Sequence, residues 1–287
     1  MRRDLLDEHV MHGTIGFPVG IYDVFKESAD GVIFTVHYHR ELELFIAEKR
    51  GIRLQLEGET YDLEAGQGMF INSGILHSTF TSENDFKFLA IVFTPEFISP
   101  KNEELYEKYI RPIIKGQVSF PVLLSDEAIG LARGINERFK EKKRGYELYI
   151  KSDLTRIMAE IAGASVNIGN YKKDTKTDNI KSTLDFIHMY YQNAITLQDL
   201  AEHAHMSREY LCRVFKEVSD ISPITYLNRY RIMKSAEMLR NSQKSISETA
   251  IECGFNGSSY FNKLFLRFMK CTPGEYRKMY RNTNPNL

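Results

Sequence analysis

Hydrophobic and polar residues change rhythm twice along this chain. From about Ile15 to Phe93 they alternate, as in "VIFTVHYHRELELFIA" and "GIRLQLEGETYDLEAG", segments rich in Val, Ile, Tyr and Phe. Successive residues of a strand face opposite ways, so this rhythm predicts half-buried β-strands. Gly51, Gly58, Gly66 and Gly74 punctuate it at turn-like intervals, which predicts a small antiparallel barrel or sandwich. After Pro121 the period lengthens. "SDEAIGLARGINERFKEKKRG" offers Ser125 as an N-cap and sets Ile129, Leu131, Ile135 and Phe139 on one apolar stripe. "ELYIKSDLTRIMAEIAG" does the same with Ile150, Leu154, Ile157 and Ile161. These two helices either cover the barrel or form a dimer interface, and the pattern leaves both open. Residues 163–179 are polar and aperiodic, which predicts an interdomain linker. Everything beyond reads as helix, broken at Ser222-Pro223 and Thr272-Pro273.

The helical part repeats itself at an offset of 50. Leu211, Val214, Phe215 and Val218 correspond to Phe261, Leu264, Phe265 and Phe268, an i, i+3, i+4, i+7 face in each copy. Tyr210, Arg213, Pro223, Tyr226, Tyr230 and Arg231 likewise match Tyr260, Lys263, Pro273, Tyr276, Tyr280 and Arg281. Upstream, "LQDLA" matches "ISETA" at an offset of 49, and the slip falls in a turn. Each copy is therefore a short helix, a tight turn and a second helix, with Ala201 and Ala250 small where helices cross closely. Gly254 suits a left-handed turn, and the first copy has His205 near that point. The start of each second helix presents Arg208, Glu209, Cys212 and Arg213, or Ser258, Ser259, Asn262 and Lys263. Packing in a helical bundle needs no such set, but these groups reach base edges and phosphates. The connecting helix, from Pro223 to about Arg240, is ~27 Å long at 1.5 Å per residue. Two recognition helices joined this way can sit about 34 Å apart, one turn of B-DNA.

Composition narrows the setting. With 287 residues, 43% hydrophobic and 26% charged, the chain has room for two soluble globular domains. Three cysteines without a C-x-x-C spacing exclude a disulfide framework and a Cys-based zinc site. No signal-peptide pattern and no 18-residue apolar run occurs, so no membrane association and a cytoplasmic location are expected. A net charge of zero hides an asymmetry: residues 180–287 carry 15 Lys and Arg against 10 Asp and Glu. The basic half is the one to meet a polyanion. The run "KEKKRG" reads as a solvated helix end, and no P-loop, G-x-S-x-G or H-E-x-x-H is present. His9, His12, His188, His203 and His205 are not spaced as metal ligands.

Two resemblances follow from these residues. "SISETAIECGFNGSSYFNKLFLRFMKCTPGEYRKMYR" resembles the DNA-binding signature of the AraC/XylS family of transcriptional regulators, including Ala250, Gly254-Phe255, Tyr260-Phe261, Phe265, Pro273 and Tyr276-Arg277. The resemblance implies base-reading roles for Arg208, Glu209, Cys212, Arg213, Ser258, Ser259, Asn262 and Lys263. Phosphate contacts are expected from Lys216, Arg231 and Arg267, Leu266 standing where the first copy has Lys216. "GVIFTVHYHRELE" and "GQGMFINSGILHSTF" resemble the two cupin motifs through Gly31, His37, His39, Glu43, Gly66, Gly74 and His77, with Asn72 and Thr81 as departures. Metal-binding cupins close three histidines and a carboxylate on one ion. Regulators of the resembled family often keep that remnant without metal, so no metal and no cofactor is expected. Tyr22, His37, His39, Glu43 and His77 then form a pocket for a small polar effector such as a sugar.

The fold class expected is α+β multidomain: an all-β cupin-like barrel with two following helices, then an all-α domain with two helix-turn-helix motifs. The divisions expected are an effector-binding and dimerisation domain at 1–162, a linker at 163–179 and a DNA-binding domain at 180–287. The expected protein is a homodimeric, effector-responsive regulator with no enzymatic activity. It binds double-stranded DNA and, as an activator of carbohydrate or related genes, meets RNA polymerase. A metal-dependent cupin enzyme tethered to DNA and a barrel used only for dimerisation are the alternatives.

Overall fold

The structure, a computed structural model, describes residues 12–26, 31–120, 122–167 and 175–281. They belong to two compact units, 1–173 and 174–287.

The first unit is built on eight antiparallel strands: β1 (Val19–Lys26), β2 (Gly31–His37), β3 (Leu42–Lys49), β4 (Ile52–Leu56), β5 (Glu59–Leu63), β6 (Gly68–Ile71), β7 (His77–Thr81) and β8 (Phe86–Phe93). They form two sheets, ordered β1-β8-β3-β6 and β2-β7-β4-β5. The period-2 pattern explains how β3 and β8 serve two cores. One face of β3 and β8 puts Phe45, Ala47, Phe88 and Ala90 against Phe34, Leu54 and Leu63 of the other sheet. The opposite face puts Leu42, Leu44, Ile46, Leu89, Ile91 and Phe93 against helices.

Those helices come after the strands. Short turns α1 (Pro95–Ile98) and α2 (Arg111–Ile114), the latter continuing a π-helical turn at Tyr106–Ile110, lead to β9 (Val118–Ser119). Then come α3 (Asp126–Glu141), α4 (Tyr146–Gly163) and β10 (Val166–Asn167). Ser125 caps α3 by accepting from the Ala128 amide at 3.1 Å, with Asp126 and Glu127 in the first turn. Ile129, Ile135, Ile150, Leu154, Ile157 and Ile161 are buried in the cluster that contains Leu44 and Phe93. Of the two uses left open for these helices, this apolar face covers the sheet; burial of each such side chain stabilises by roughly 1.5–3 kcal/mol.

Two further sets of backbone hydrogen bonds extend from the sheets toward the end of the unit. Glu43 of β3 pairs with Ile71 of β6. On its other edge β6 meets the segment before α3: Phe70 donates to the Val122 carbonyl at 2.8 Å and Leu124 to that of Gly68 at 2.9 Å. A few residues upstream, Val118 and Ser119 pair with Asn167 and Val166, the last described residues of the unit.

Both ends of the segment expected as a linker at 163–179 carry regular structure, and the two units divide within it. Gly163 ends α4, Val166–Asn167 is a strand, and α5 starts at Thr175, leaving only residues 168–174 outside the described residues. Its polar composition hid the helix start, because the first turn of α5 needs no apolar residue before Ile180, Leu184 and Ile187 are buried.

The second unit is all helix: α5 (Thr175–Tyr190), α6 (Leu197–His203), α7 (Arg208–Ser219), α8 (Pro223–Asn241), α9 (Ile246–Glu252), α10 (Ser258–Met269) and α11 (Pro273–Arg281). The repeat seen in the sequence is repeated in detail. Capping boxes start α6 (Thr196 with Asp199) and α9 (Ser245 with Glu248). Both turns close with the same bonds, Met206 to the Ala201 carbonyl at 2.9 Å and Phe255 to that of Ala250 at 3.0 Å. Both recognition helices end on a left-handed residue, Asp220 and Lys270, each with φ 58°. Helix α8 contacts helices of both copies and so holds them in one body.

Candidate functional site

The first surface to consider is formed by α7 and α10. Their apolar stripes bury Leu211, Val214 and Phe215 in one copy and Phe261, Leu264 and Phe265 in the other. The opposite faces leave Arg208, Glu209, Arg213, Lys216, Ser258, Ser259, Asn262, Lys263 and Arg267 exposed and Cys212 partly so. Ten of the eleven side chains expected to meet DNA, all but Arg231, thus sit on the outward faces of second helices of helix-turn-helix units.

The two faces are prepared differently. Ser207 caps α7, accepting from the Tyr210 amide at 3.2 Å, whereas Gly257 before α10 is extended and offers no side-chain cap. The Arg213 guanidinium lies 4.9 Å from the Tyr210 ring centroid and 3.2 Å from Glu217. Glu217 also pairs with Lys176 of α5 at 2.5 Å. Backbone and Ser207 hydrogen bonds lower the Glu209 carboxyl, keeping it an acceptor.

One expected phosphate contact is overturned. Arg231 is only 8% exposed, and its guanidinium donates to the carbonyls of Tyr191 (2.7 Å) and Asn193 (2.6 Å). It ties the loop before α6 to α8 and the turn of the second copy, where Gly254 (φ 81°) approaches the same Tyr191 carbonyl. A guanidinium committed to buried carbonyls is unavailable to phosphate. The side chain of its counterpart Arg281 lies outside the described residues.

The second site lies where the two β-sheets of the first unit meet. His37 and His77 are paired across β2 and β7, with ring centroids 4.1 Å apart. Glu43 comes from β3 of the other sheet, and His39 from the connection between β2 and β3. His39, Glu43 and His77 are buried. His39 Nε2 is 3.1 Å from Glu43 Oε2, and His77 Nε2 is 3.4 Å from the same oxygen without the alignment of a hydrogen bond. One ring nitrogen from each of the three histidines falls within 4.8 Å of the others.

Proton positions follow from the partners. His37, His39 and His77 each set Nδ1 against a backbone carbonyl, of Thr35 (2.8 Å), Glu41 (3.2 Å) and Ile75 (2.8 Å). A carbonyl only accepts, so each Nδ1 carries a proton; the neutral His37 and His77 tautomers keep a lone pair on Nε2, whereas the Glu43 carboxylate, also an acceptor only, holds a second proton on His39 Nε2 that a metal would displace. Burial, then His77 and His39, keep the His37 imidazole well below its ordinary pKa. Burial would lower His39 too, but Glu43 and then Glu41 hold it above its ordinary value. Burial would raise Glu43, yet His39 and His77 beside it hold the carboxyl well below the usual range.

A helix-turn-helix domain family matches residues 200–279. An uncharacterised HTH-type transcriptional regulator, YdeC of Bacillus subtilis (strain 168), is 30% identical over 285 residues, 96% of each chain. The chain belongs to the AraC/XylS family of transcriptional regulators. The HTH-type transcriptional activator RhaR of Mannheimia succiniciproducens is 24% identical across 86% of this chain and 88% of its own. The solved structure of ToxT from Vibrio cholerae O395 covers 91% of this chain and 98% of its own, with 15% identity and a TM-score of 0.49. As an AraC/XylS regulator the protein binds specific DNA through its tandem helix-turn-helix unit.

Sequence reasoning placed Tyr22, His37, His39, Glu43 and His77 in the sensor half of this AraC/XylS protein and set His12 aside. The structure brings His12 to the same cluster. Its Nδ1 is 2.7 Å from the Tyr22 hydroxyl, and its ring meets that of His39 edge-on at 5.7 Å. Spacing carried no signal for it, because His12 precedes β1 and arrives from outside the sheets. The other histidines are elsewhere: His188 is buried against Tyr226 and Tyr230, His203 bonds Ser182, and His9 lies outside the described residues.

The cupin resemblance raises the question of a metal, and the donors fit one. Histidine ligands ordinarily donate their second N–H to a carbonyl or carboxylate, the arrangement found here for all three rings. His77 Nε2 is buried with no hydrogen-bond partner, an orphan that a cation would satisfy. Three imidazoles and one carboxylate suit Fe, Mn, Zn or Ni in the divalent state.

Proposed function

We propose that this protein is an effector-responsive transcriptional activator whose β-unit senses a small polar molecule at the His37, His39, Glu43 and His77 cluster. The observation that carries the reading is the convergence of one ring nitrogen from each of His37, His39 and His77, with the buried Glu43 carboxylate beside His39 and His77. Nothing in packing requires that arrangement, and each buried polar atom there needs a partner. A divalent ion held by these four residues would supply a Lewis-acidic centre for an oxygen-rich effector, with Tyr22 and His12 alongside. An oxygen-bearing polar effector fits the character of the site; an apolar effector would leave its donors and acceptors unpaired.

In this reading Arg208, Glu209, Cys212 and Arg213 read one major groove and Ser258, Ser259, Asn262 and Lys263 the next. Lys216 and Arg267 meet phosphate. Glu209 accepts from a cytosine amino group, the base contact its charge permits. Helices α3 and α4 have an outer face with Leu148 and Tyr149 exposed, which is where we place a homodimer contact. Effector binding changes DNA affinity only by its differential affinity for two arrangements of the protein. The activator meets RNA polymerase in the cytoplasm and has no catalytic activity of its own.

The deciding experiment is a thermal-shift screen of the full chain against divalent metals and polar metabolites, paired with operator binding by fluorescence anisotropy. A ligand of the folded state raises its melting temperature by mass action. A selective rise that Glu43→Ala abolishes, with a change in DNA affinity, is the expected result. No ligand effect on either quantity would leave the β-unit a dimerisation module. Turnover of a metabolite, lost in His39→Ala, would make it an enzyme.

A further inference from the structure

The sensor reading leaves open what kind of molecule completes the site. We infer that the effector is a small carboxylate, bound to the ion held by His37, His39, His77 and Glu43 and recognised by a wall made of His12 and Tyr22. The inference rests on the sensor reading and on the donor set described above.

The wall is built into β1 by one missing side chain. Gly20 pairs with Val92, and Val92 on its other side pairs with Glu43, so the three residues lie in one row across the sheet. Tyr22 is two residues on and shares the face of Gly20. A Cβ at position 20 would stand 2.9 Å from both the Tyr22 hydroxyl and its ring carbon Cε2, and 3.1 Å from the His12 Cβ. Gly20 is in extended backbone that any residue adopts, so the requirement here is space and not conformation. The tyrosine therefore folds back along its own strand over Gly20, toward the row that carries Glu43. There its hydroxyl meets His12 at 2.7 Å, and the His12 ring rests against His39.

Charge selects the ligand class. Three neutral imidazoles and one carboxylate leave a divalent ion with a residual charge of +1. A buried net charge is unfavourable unless it is paired. A monoanion that supplies an oxygen donor cancels it, and a neutral polyol does not. A carboxylate would bring one oxygen to the cation and offer the other as an acceptor to the phenol or imidazole, a charge-assisted bond stronger than a neutral one. Glu41, the remaining carboxylate nearby, lies 3.8 Å from His39 Nδ1, on the opposite side of that ring from Nε2. Repulsion from it therefore acts from behind the ligand ring.

The test uses the full chain loaded with Co²⁺, whose visible absorption reports coordination. Sodium acetate is titrated against sodium chloride and glucose. A saturable spectral change with acetate and none with glucose is expected. Tyr22→Phe and Gly20→Ala should each weaken acetate binding about tenfold, the loss of one charge-assisted hydrogen bond, with Co²⁺ affinity within about twofold of the parent. Acetate binding equal in parent and both variants, or a response to glucose in place of acetate, overturns the inference. A chain that takes up no Co²⁺ overturns the metal reading and the inference together. Anisotropy with operator DNA separates the remaining case: acetate that binds as expected without changing DNA affinity supports the site and removes the sensor reading.

Discussion

The two helix-turn-helix copies share a backbone and differ in almost everything that faces outward. Capping boxes, turn hydrogen bonds and left-handed C-caps coincide, but α7 presents Arg208, Glu209 and Arg213 where α10 presents Ser258, Ser259 and Lys263. Even the turns reach one conformation by different routes. His205 takes φ 52° with a full side chain, whereas Gly254 takes φ 81° beside the Tyr191 carbonyl. The lesson is that the fold constrains the inner face closely and the outer face hardly at all. The outer faces have separated into one crowded with charges of both signs, where Arg213 is pre-oriented by Tyr210 and Glu217, and one of short polar groups whose only charges are Lys263 and Arg267.

The sharpest way to break this symmetry is at the turns. Gly254→Ala puts a Cβ 2.5 Å from the Tyr191 carbonyl oxygen in a left-handed backbone, so the C-terminal unit should lose roughly 2–4 kcal/mol, measured by urea denaturation. His205→Gly removes a strained left-handed side chain from open space and should leave stability unchanged or raise it by about half a kcal/mol. Equal losses at the two positions would refute the asymmetry.

At the recognition helices the contrast becomes one of DNA binding. Arg213→Ala should weaken operator binding by about 1–3 kcal/mol and relax preference at one base pair, whereas Arg267→Ala should weaken all sequences alike. Anisotropy against single-base operator variants tells them apart, and a uniform loss for Arg213→Ala would reduce it to a phosphate contact. Binding should also fall steeply with salt through counterion release. In Lys216→Ala the slope of log affinity against log salt should shrink by roughly 1; Arg231→Lys, at a position whose guanidinium is taken up by the Tyr191 and Asn193 carbonyls, should leave it unchanged.

The caps offer the finest distinction. Ser207→Ala should cost about 1 kcal/mol of stability, because the Tyr210 amide loses its acceptor. Gly257→Ser, in open space at the matching position, should instead gain a few tenths of a kcal/mol. Both are read from the thermal transition of the C-terminal unit.

These contrasts also explain what could be read in advance. The repeated i, i+3, i+4, i+7 faces made both recognition helices legible, because burial imposes periodicity on the residues that serve it. Alternation did the same for β3 and β8. What escaped was set by contacts between distant segments. Arg231 looks like a surface cation in its helix, and only the carbonyls of Tyr191 and Asn193, some 40 residues earlier, make it structural. His12 has no pattern of its own and joins the histidine cluster through Tyr22. The tautomers that favour a cation depend on carbonyls whose positions no spacing encodes. The helix start at Thr175 was hidden because polar first turns look like linkers.

Glu43 of β3 pairs with β6, β6 in turn bonds the 122–124 segment, and Val118 and Ser119 a few residues earlier pair with Val166 and Asn167, the last described residues of the unit. In the proposed sensor reading, a change at the Glu43 carboxylate would therefore be passed on through hydrogen-bonded backbone and not through the packing of helices.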